Sequence, residues 1–270
     1  FHQAARLGGT PRAQRRRAKA IEQGIMRQAQ MSADNATPAR RAELEEVRKS
    51  LAEAMAMLKK GPDGMKALYT LPWYMIIGPP AIGKTTAIVN SGLNFPGMTT
   101  AKRMRGSGGT RNCDWWFTND AILLDTAGRY AQSADRTETE TEWFGFLDLL
   151  KKNRSRGPIN GLILGYSMET LIQADETQVV NDARELRQRM DEILDRLGWT
   201  YPVYILYTKC DLINGFADYF SSLSPVERQQ VWGVTYDVST TTDQDAAPRF
   251  LSEFDALCRR LRDLRIRRMA

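Results

Sequence analysis

The sequence predicts an α/β fold: a mostly parallel sheet with one antiparallel edge pair and helices on both faces, preceded by an N-terminal helical extension and followed by a C-terminal amphipathic helix. Three observations carry this prediction. From Leu71 onward, short apolar runs bounded by turn residues alternate with helical stretches, as expected of a parallel sheet covered on both sides. Residues 12–60 lack β-branched runs and are rich in Ala, Arg, Glu, Met and Leu, all strong helix formers. Residues 253–268 place Phe254, Leu257, Leu261 and Leu264 on one face of a basic helix.

Taken in order, the helical preface breaks at Asn35–Pro38, where Thr37 and Pro38 read as an N-cap and a first-turn proline. A second helix is therefore expected over 38–60, ended by Gly61, Pro62, Asp63 and Gly64. Strands are expected at Trp73–Ile77, Cys113–Thr118, Ala121–Asp125, Gly161–Tyr166 and Val203–Thr208. Helices are expected at Lys84–Ser91, Glu142–Lys152 and Asp175–Leu197. The second and third strands read as a hairpin turning at Asn119 and Asp120, which supplies the antiparallel pair. The implied organisation is a basic helical extension over 1–65, a core domain over 66–248 and a basic amphipathic helix over 249–270.

Composition narrows the function classes. Cys113, Cys210 and Cys258 stand far apart without CxxC spacing and the sole histidine is His2, which argues against a zinc site, a disulfide framework or histidine-dependent catalysis. It suits a reducing compartment. No apolar run reaches the roughly 18 to 20 residues of a membrane span. The chain begins at Phe1 without a charged-then-apolar leader, so it reads as a piece whose targeting information lies elsewhere. The ends are basic, with 13 Lys/Arg against 6 Asp/Glu in residues 1–60 and 7 against 3 in 249–270, whereas the middle is acidic. Acids interspersed among the basic residues and the lack of aromatic interleaving speak against nucleic acid as the partner.

Three motifs carry chemistry. Gly78, Pro79, Pro80, Ala81, Ile82, Gly83, Lys84 and Thr85 satisfy G-x-x-x-x-G-K-[ST] between an apolar strand and a helix, the Walker A phosphate-binding loop. Its amides and the following helix start would face the phosphates, with Lys84 reaching the β- and γ-phosphates, Thr85 ligating Mg2+ and Thr86 helping to hold the α-phosphate. Asp125, at the end of an apolar strand, would orient the same metal ion, and the amide of Gly128, three residues later, would sense the γ-phosphate. Thr208, Lys209, Cys210 and Asp211 follow another strand and match the [NT]KxD base-reading form. There the aspartate accepts from guanine and the lysine stem covers the ring, which favours GTP over ATP.

Between the first two motifs lies the glycine-rich basic stretch 102–111, read as a switch I segment with Thr110 meeting Mg2+ and the γ-phosphate. Gly128 to Glu142 would then form switch II. The position after the D-x-x-G glycine, where Ras-type GTPases carry a water-orienting glutamine, holds Arg129. Slow hydrolysis is expected, and Arg129 either stabilises transition-state charge in cis or pairs with a nearby carboxylate. Together these motifs specify a Ras-like P-loop NTPase domain.

The stretches L-P-W-Y-x-I-I-G-P-P-x-x-G-K-T-T, G-T-R-N-C-D-W-W-F-T, L-L-D-T-A-G-R-Y, P-I-N-G and P-V-Y-x-L-x-T-K-C-D-L-I-x-G-F resemble the IcmF/TssM family over about residues 71–238. The resemblance implies the cytoplasmic NTPase-like domain of a bacterial inner-membrane protein of type VI secretion systems, lying between transmembrane helices outside this chain. It implies TssL-like and TssJ-like membrane-complex partners and baseplate components. The basic ends would then flank membrane spans on the cytoplasmic side. The family loop commonly reads G-P-P-G-A-G-K-T, whereas here Ala81 replaces the middle glycine, a strained choice if that backbone needs φ above zero. The rival readings are a degenerate NTPase-like scaffold that docks secretion partners and, less consistent with the motifs, a signal-recognition-type targeting GTPase.

Overall fold

The computed structural model describes residues 11–34, 52, 56, 64–95, 113–131, 136–155, 157–229, 232–236 and 246–269. The second helix expected over 38–60, apart from residues 52 and 56, the switch I stretch 102–111 with Thr110, and part of switch II lie outside these residues. The chain divides into two compact units, residues 1–216 and 217–270.

The first unit is built on a five-stranded sheet ordered β2-β3-β1-β4-β5. The strands are β1 (Trp73–Ile77), β2 (Cys113–Phe117), β3 (Ile122–Thr126), β4 (Gly161–Ser167) and β5 (Val203–Thr208). β1 runs parallel to β3 and β4, β5 runs parallel to β4, and β2 alone is antiparallel, paired with β3. Around them stand α1 (Pro11–Asp34), α2 (Ala67–Thr70), α3 (Lys84–Val89), α4 (Arg136–Asn153), α5 (Met168–Gln173) and α6 (Glu176–Leu197). The mixed, mostly parallel sheet with its antiparallel edge pair matches the expectation, and element ends differ from it by a few residues.

Strand periodicity sorts the side chains onto two faces. Trp73, Met75 and Ile77 of β1 point into one cluster with Leu124, Leu162, Leu164 and residues of α1, α4 and α6. Ile76 and Leu123 point the other way, toward Ile88 of α3, Phe95 and Trp116. β3 is buried along its whole length, which is why its apolar residues are continuous rather than alternating. The hairpin is closed by Thr118, whose hydroxyl accepts from the amides of Asp120 (3.1 Å) and Ala121 (2.8 Å).

α1 is not a detached extension. Ala18, Ile21 and Ile25, spaced for one helical face, are buried in the same cluster as the sheet. α6 starts on an Asp175 cap, whose side chain accepts from the Gln178 amide at 2.8 Å, and ends at Gly198 in the left-handed conformation. The second unit holds most of α7 (Phe216–Phe220) and all of α8 (Ala246–Met269). Within it the Tyr219 hydroxyl donates to the Leu261 carbonyl at 2.8 Å, and Phe220 packs edge-on to Trp232. Among the described residues no helix is long and apolar enough to cross a membrane.

Candidate functional site

Parallel strands put their carboxyl ends on one edge of a sheet, and the crevice there is where open α/β sheets take ligands. Three segments separated widely in sequence meet at that edge: the loop after β1, the turn after β3 and the turn after β5.

The loop Gly78–Thr85 runs from β1 into α3. Lys84 is buried and folds back, its Nζ donating to the carbonyls of Gly78 (2.8 Å) and Pro79 (2.9 Å). Burial lowers its pKa from 10.5, partly offset by the Asp125 charge. Gly83, with φ of 94°, turns the chain into α3 in a conformation that L side chains rarely adopt. Ala81 also sits in the left-handed region, with φ of 60°, so the condition for strain at this alanine is met. Ile82 is buried, whereas Pro80, Ala81 and Thr86 are exposed.

Asp125 is fully buried at the end of β3 and accepts from the Thr85 hydroxyl at 2.5 Å. Next to it, Thr126 donates to the Ile76 carbonyl at 2.8 Å, locking β3 against β1. Gly128 begins a 3-10 turn, Gly128–Ala131, and passes so close to the loop Gly78–Thr85 that a Cβ there would lie 2.3 Å from Cα of Pro80. Any side chain at this position would push the two motifs apart. Arg129 is half-buried, its guanidinium 4.9 Å from the centre of the Tyr130 ring. Tyr130 in turn packs on Trp143 of α4 at 5.5 Å.

The turn after β5 is tied directly to the loop Gly78–Thr85: the Thr208 hydroxyl donates to the Ile82 carbonyl at 2.5 Å. Lys209 has φ of 55° and its Nζ donates to Glu169 Oε2 at 2.7 Å. Asp211 is exposed on the following 3-10 turn, Cys210–Leu212. Thus Lys84, Thr85, Asp125, Gly128 and Thr208 come together at one edge of the sheet, and Lys209 and Asp211 share that edge. Glu169, Thr126 and Tyr130 were not singled out by sequence. Glu169 carries no motif, lies 40 residues from its partner, and became visible only once α5 was placed.

A model described as the IcmF-related N-terminal domain matches residues 136–270, and the chain belongs to that family of type VI secretion proteins. Among curated proteins it is similar to "Type VI secretion system component TssM1" of Pseudomonas aeruginosa, 44% identical over 229 residues. That alignment takes in 83% of this chain but 20% of the relative, so the chain spans about a fifth of that protein's length. Among solved structures, a bacterial selenocysteine-specific elongation factor aligns with 13% identity over 56% of this chain and 28% of its own, at a TM-score of 0.26. So slight a likeness has no bearing on the fold.

Proposed function

We propose that this segment is the nucleotide-binding switch of a type VI secretion membrane-complex protein, taking GTP in preference to ATP together with Mg2+ and hydrolysing it slowly. The observation that carries this reading is the contact of the Thr85 hydroxyl with the buried Asp125 carboxylate, beside a lysine held inside the loop. A buried carboxylate is tolerated where a hydroxyl donor and a nearby ammonium stabilise its charge, and an oxygen donor pair is what Mg2+ prefers. The strand order, with β2 alone antiparallel, supports a Ras-like P-loop fold.

The residues fit the group. Thr85 and Asp125 would hold Mg2+, which when bound offsets the charge of the β- and γ-phosphates. Lys84 exchanges its carbonyl partners for phosphate oxygens. The amides from Ala81 to Thr86 would bind the phosphate chain, and the Gly128 amide sits against the loop where a γ-phosphate would be sensed. Thr208 holds the base loop to the phosphate loop, Lys209 covers the base and Asp211 accepts from its polar edge. Thr110 and Arg129 are assigned to the transition state, Thr110 toward the metal ion and Arg129 toward the developing charge.

A scaffold reading is favoured by one observation, the left-handed backbone of Ala81, because alanine pays about 1–2 kcal/mol there that glycine does not. On that reading the fold docks TssL-like and TssJ-like proteins and baseplate components without using nucleotide. Either way we assign the segment to the cytoplasmic side of a bacterial inner-membrane protein. Isothermal titration of the 270-residue chain with GTP and ATP plus Mg2+, beside Lys84→Ala, separates the two. Micromolar GTP binding lost in the variant supports the switch; no binding by either protein leaves the scaffold.

A further inference from the structure

Among the described residues, two that are not glycine hold left-handed backbone, Ala81 and Lys209, and both lie in the candidate site. Strain of this kind costs about 1–2 kcal/mol and persists where the surroundings enforce it. For Lys209 the enforcing contacts are visible. Its Nζ donates to Glu169 Oε2 at 2.7 Å, the preceding Thr208 hydroxyl donates to the Ile82 carbonyl at 2.5 Å, and the Leu212 amide donates to the Lys209 carbonyl at 3.1 Å. The base loop is thereby pinned from two directions, by the phosphate loop and by the end of β4.

Glu169 is well placed for its part in this. It occupies the first turn of α5, directly after β4, and that turn is capped by Ser167, whose side chain accepts from the Thr170 amide at 3.4 Å. Ser167 itself is fully buried, so Glu169 hangs from a fixed point of the sheet rather than from a surface loop. The Glu169–Lys209 pair keeps 40% and 32% of its side-chain surface exposed. Pairs of this exposure add little to stability by themselves, and what distinguishes this one is that it spans a strained residue of a ligand-binding turn.

We propose that Glu169 is a positioning residue for the base-reading loop: its carboxylate holds Lys209 in the left-handed conformation that sets both the lysine stem and Asp211 for a guanine base. This rests on the nucleotide reading given above. Glu169 touches no base itself; it acts through Lys209, so its removal weakens recognition of the base and leaves the grip on the phosphates intact.

The test uses the 270-residue chain as wild type, Glu169→Gln, Lys209→Gln and the double variant. Each is titrated with a fluorescent GTP analogue and Mg2+, with displacement by GTP, ATP and inorganic tripolyphosphate. In Glu169→Gln, GTP affinity should fall about fivefold, the upper range for one partly exposed ion pair. Tripolyphosphate affinity should stay constant, so the GTP-over-ATP preference shrinks. The double variant should bind GTP no more weakly than Lys209→Gln alone, because the two residues act as one unit. Equal losses for GTP and tripolyphosphate, additive losses in the double variant, or an unchanged Glu169→Gln would overturn the proposal while the nucleotide reading stands. A wild type that binds no nucleotide would overturn both.

Discussion

The hydroxyl of Thr85 donates to the carboxylate of Asp125 at 2.5 Å, joining residues 40 apart in sequence across the start of α3 and the end of β3. Thr85→Val keeps the shape and deletes the donor. It should cost about 1–3 kcal/mol, the range for depriving a buried charged acceptor of a partner. It should also abolish the dependence of GTP binding on Mg2+. Chemical denaturation and titration with and without Mg2+ read the two effects separately; a variant that still responds to Mg2+ would remove Thr85 from the metal site.

Ala81→Gly should strengthen the site. Glycine removes the left-handed penalty of about 1–2 kcal/mol and gives back part of it as unfolded-chain entropy. The net expectation is a rise in stability of about 0.5 kcal/mol and tighter GTP binding, measured by thermal unfolding and titration. A loss on both would mean that the alanine methyl group makes contacts worth more than the strain it carries.

Lys84 gives a pH signature. Burial lowers its pKa from 10.5, so the folded chain releases this proton at a lower pH than the unfolded chain does. The cost of burying the charge is complete below the folded value and diminishes as pH rises through it toward 10.5. Wild type should therefore gain stability relative to Lys84→Met as the solution becomes more alkaline. Urea midpoints of the two proteins across that range check this; a difference independent of pH would contradict it.

Behind the candidate switch, Trp143 donates its Nε1 to Glu192 at 3.1 Å, and Glu192 also accepts from Arg189, itself buried, at 2.6 Å. Glu192→Leu removes the charge that Arg189 faces and should destabilise by about 3 kcal/mol. Glu192→Gln retains an acceptor and should cost about 1 kcal/mol. Denaturant midpoints decide the order, and equal effects would show that the guanidinium finds water instead.

Much of this architecture was legible in local pattern. The five strands, the turn at Asn119 and Asp120 and the long helix ending at Gly198 follow from apolar periodicity and turn chemistry, which act over a few residues. The three motifs were legible because phosphate and base recognition demand particular residue types at fixed spacing. α1 was legible as a helix but not as part of the core: the apolar spacing of Ala18, Ile21 and Ile25 says that one face is buried without saying against what.

Sequence alone therefore determined the five strands and the longer helices, and which residues are the candidates for phosphate and base chemistry, because backbone propensity and motif spacing are local properties. Only the tertiary structure decided that Gly128 abuts Pro80, that Thr208 bonds to Ile82 in the loop after β1, and that Glu169 pairs with the left-handed Lys209. Those contacts arise from the order in which parallel strands are laid side by side. Strand order is set by packing across the whole sheet, and residues 40 to 126 positions apart in the chain have no local signal that could announce their meeting.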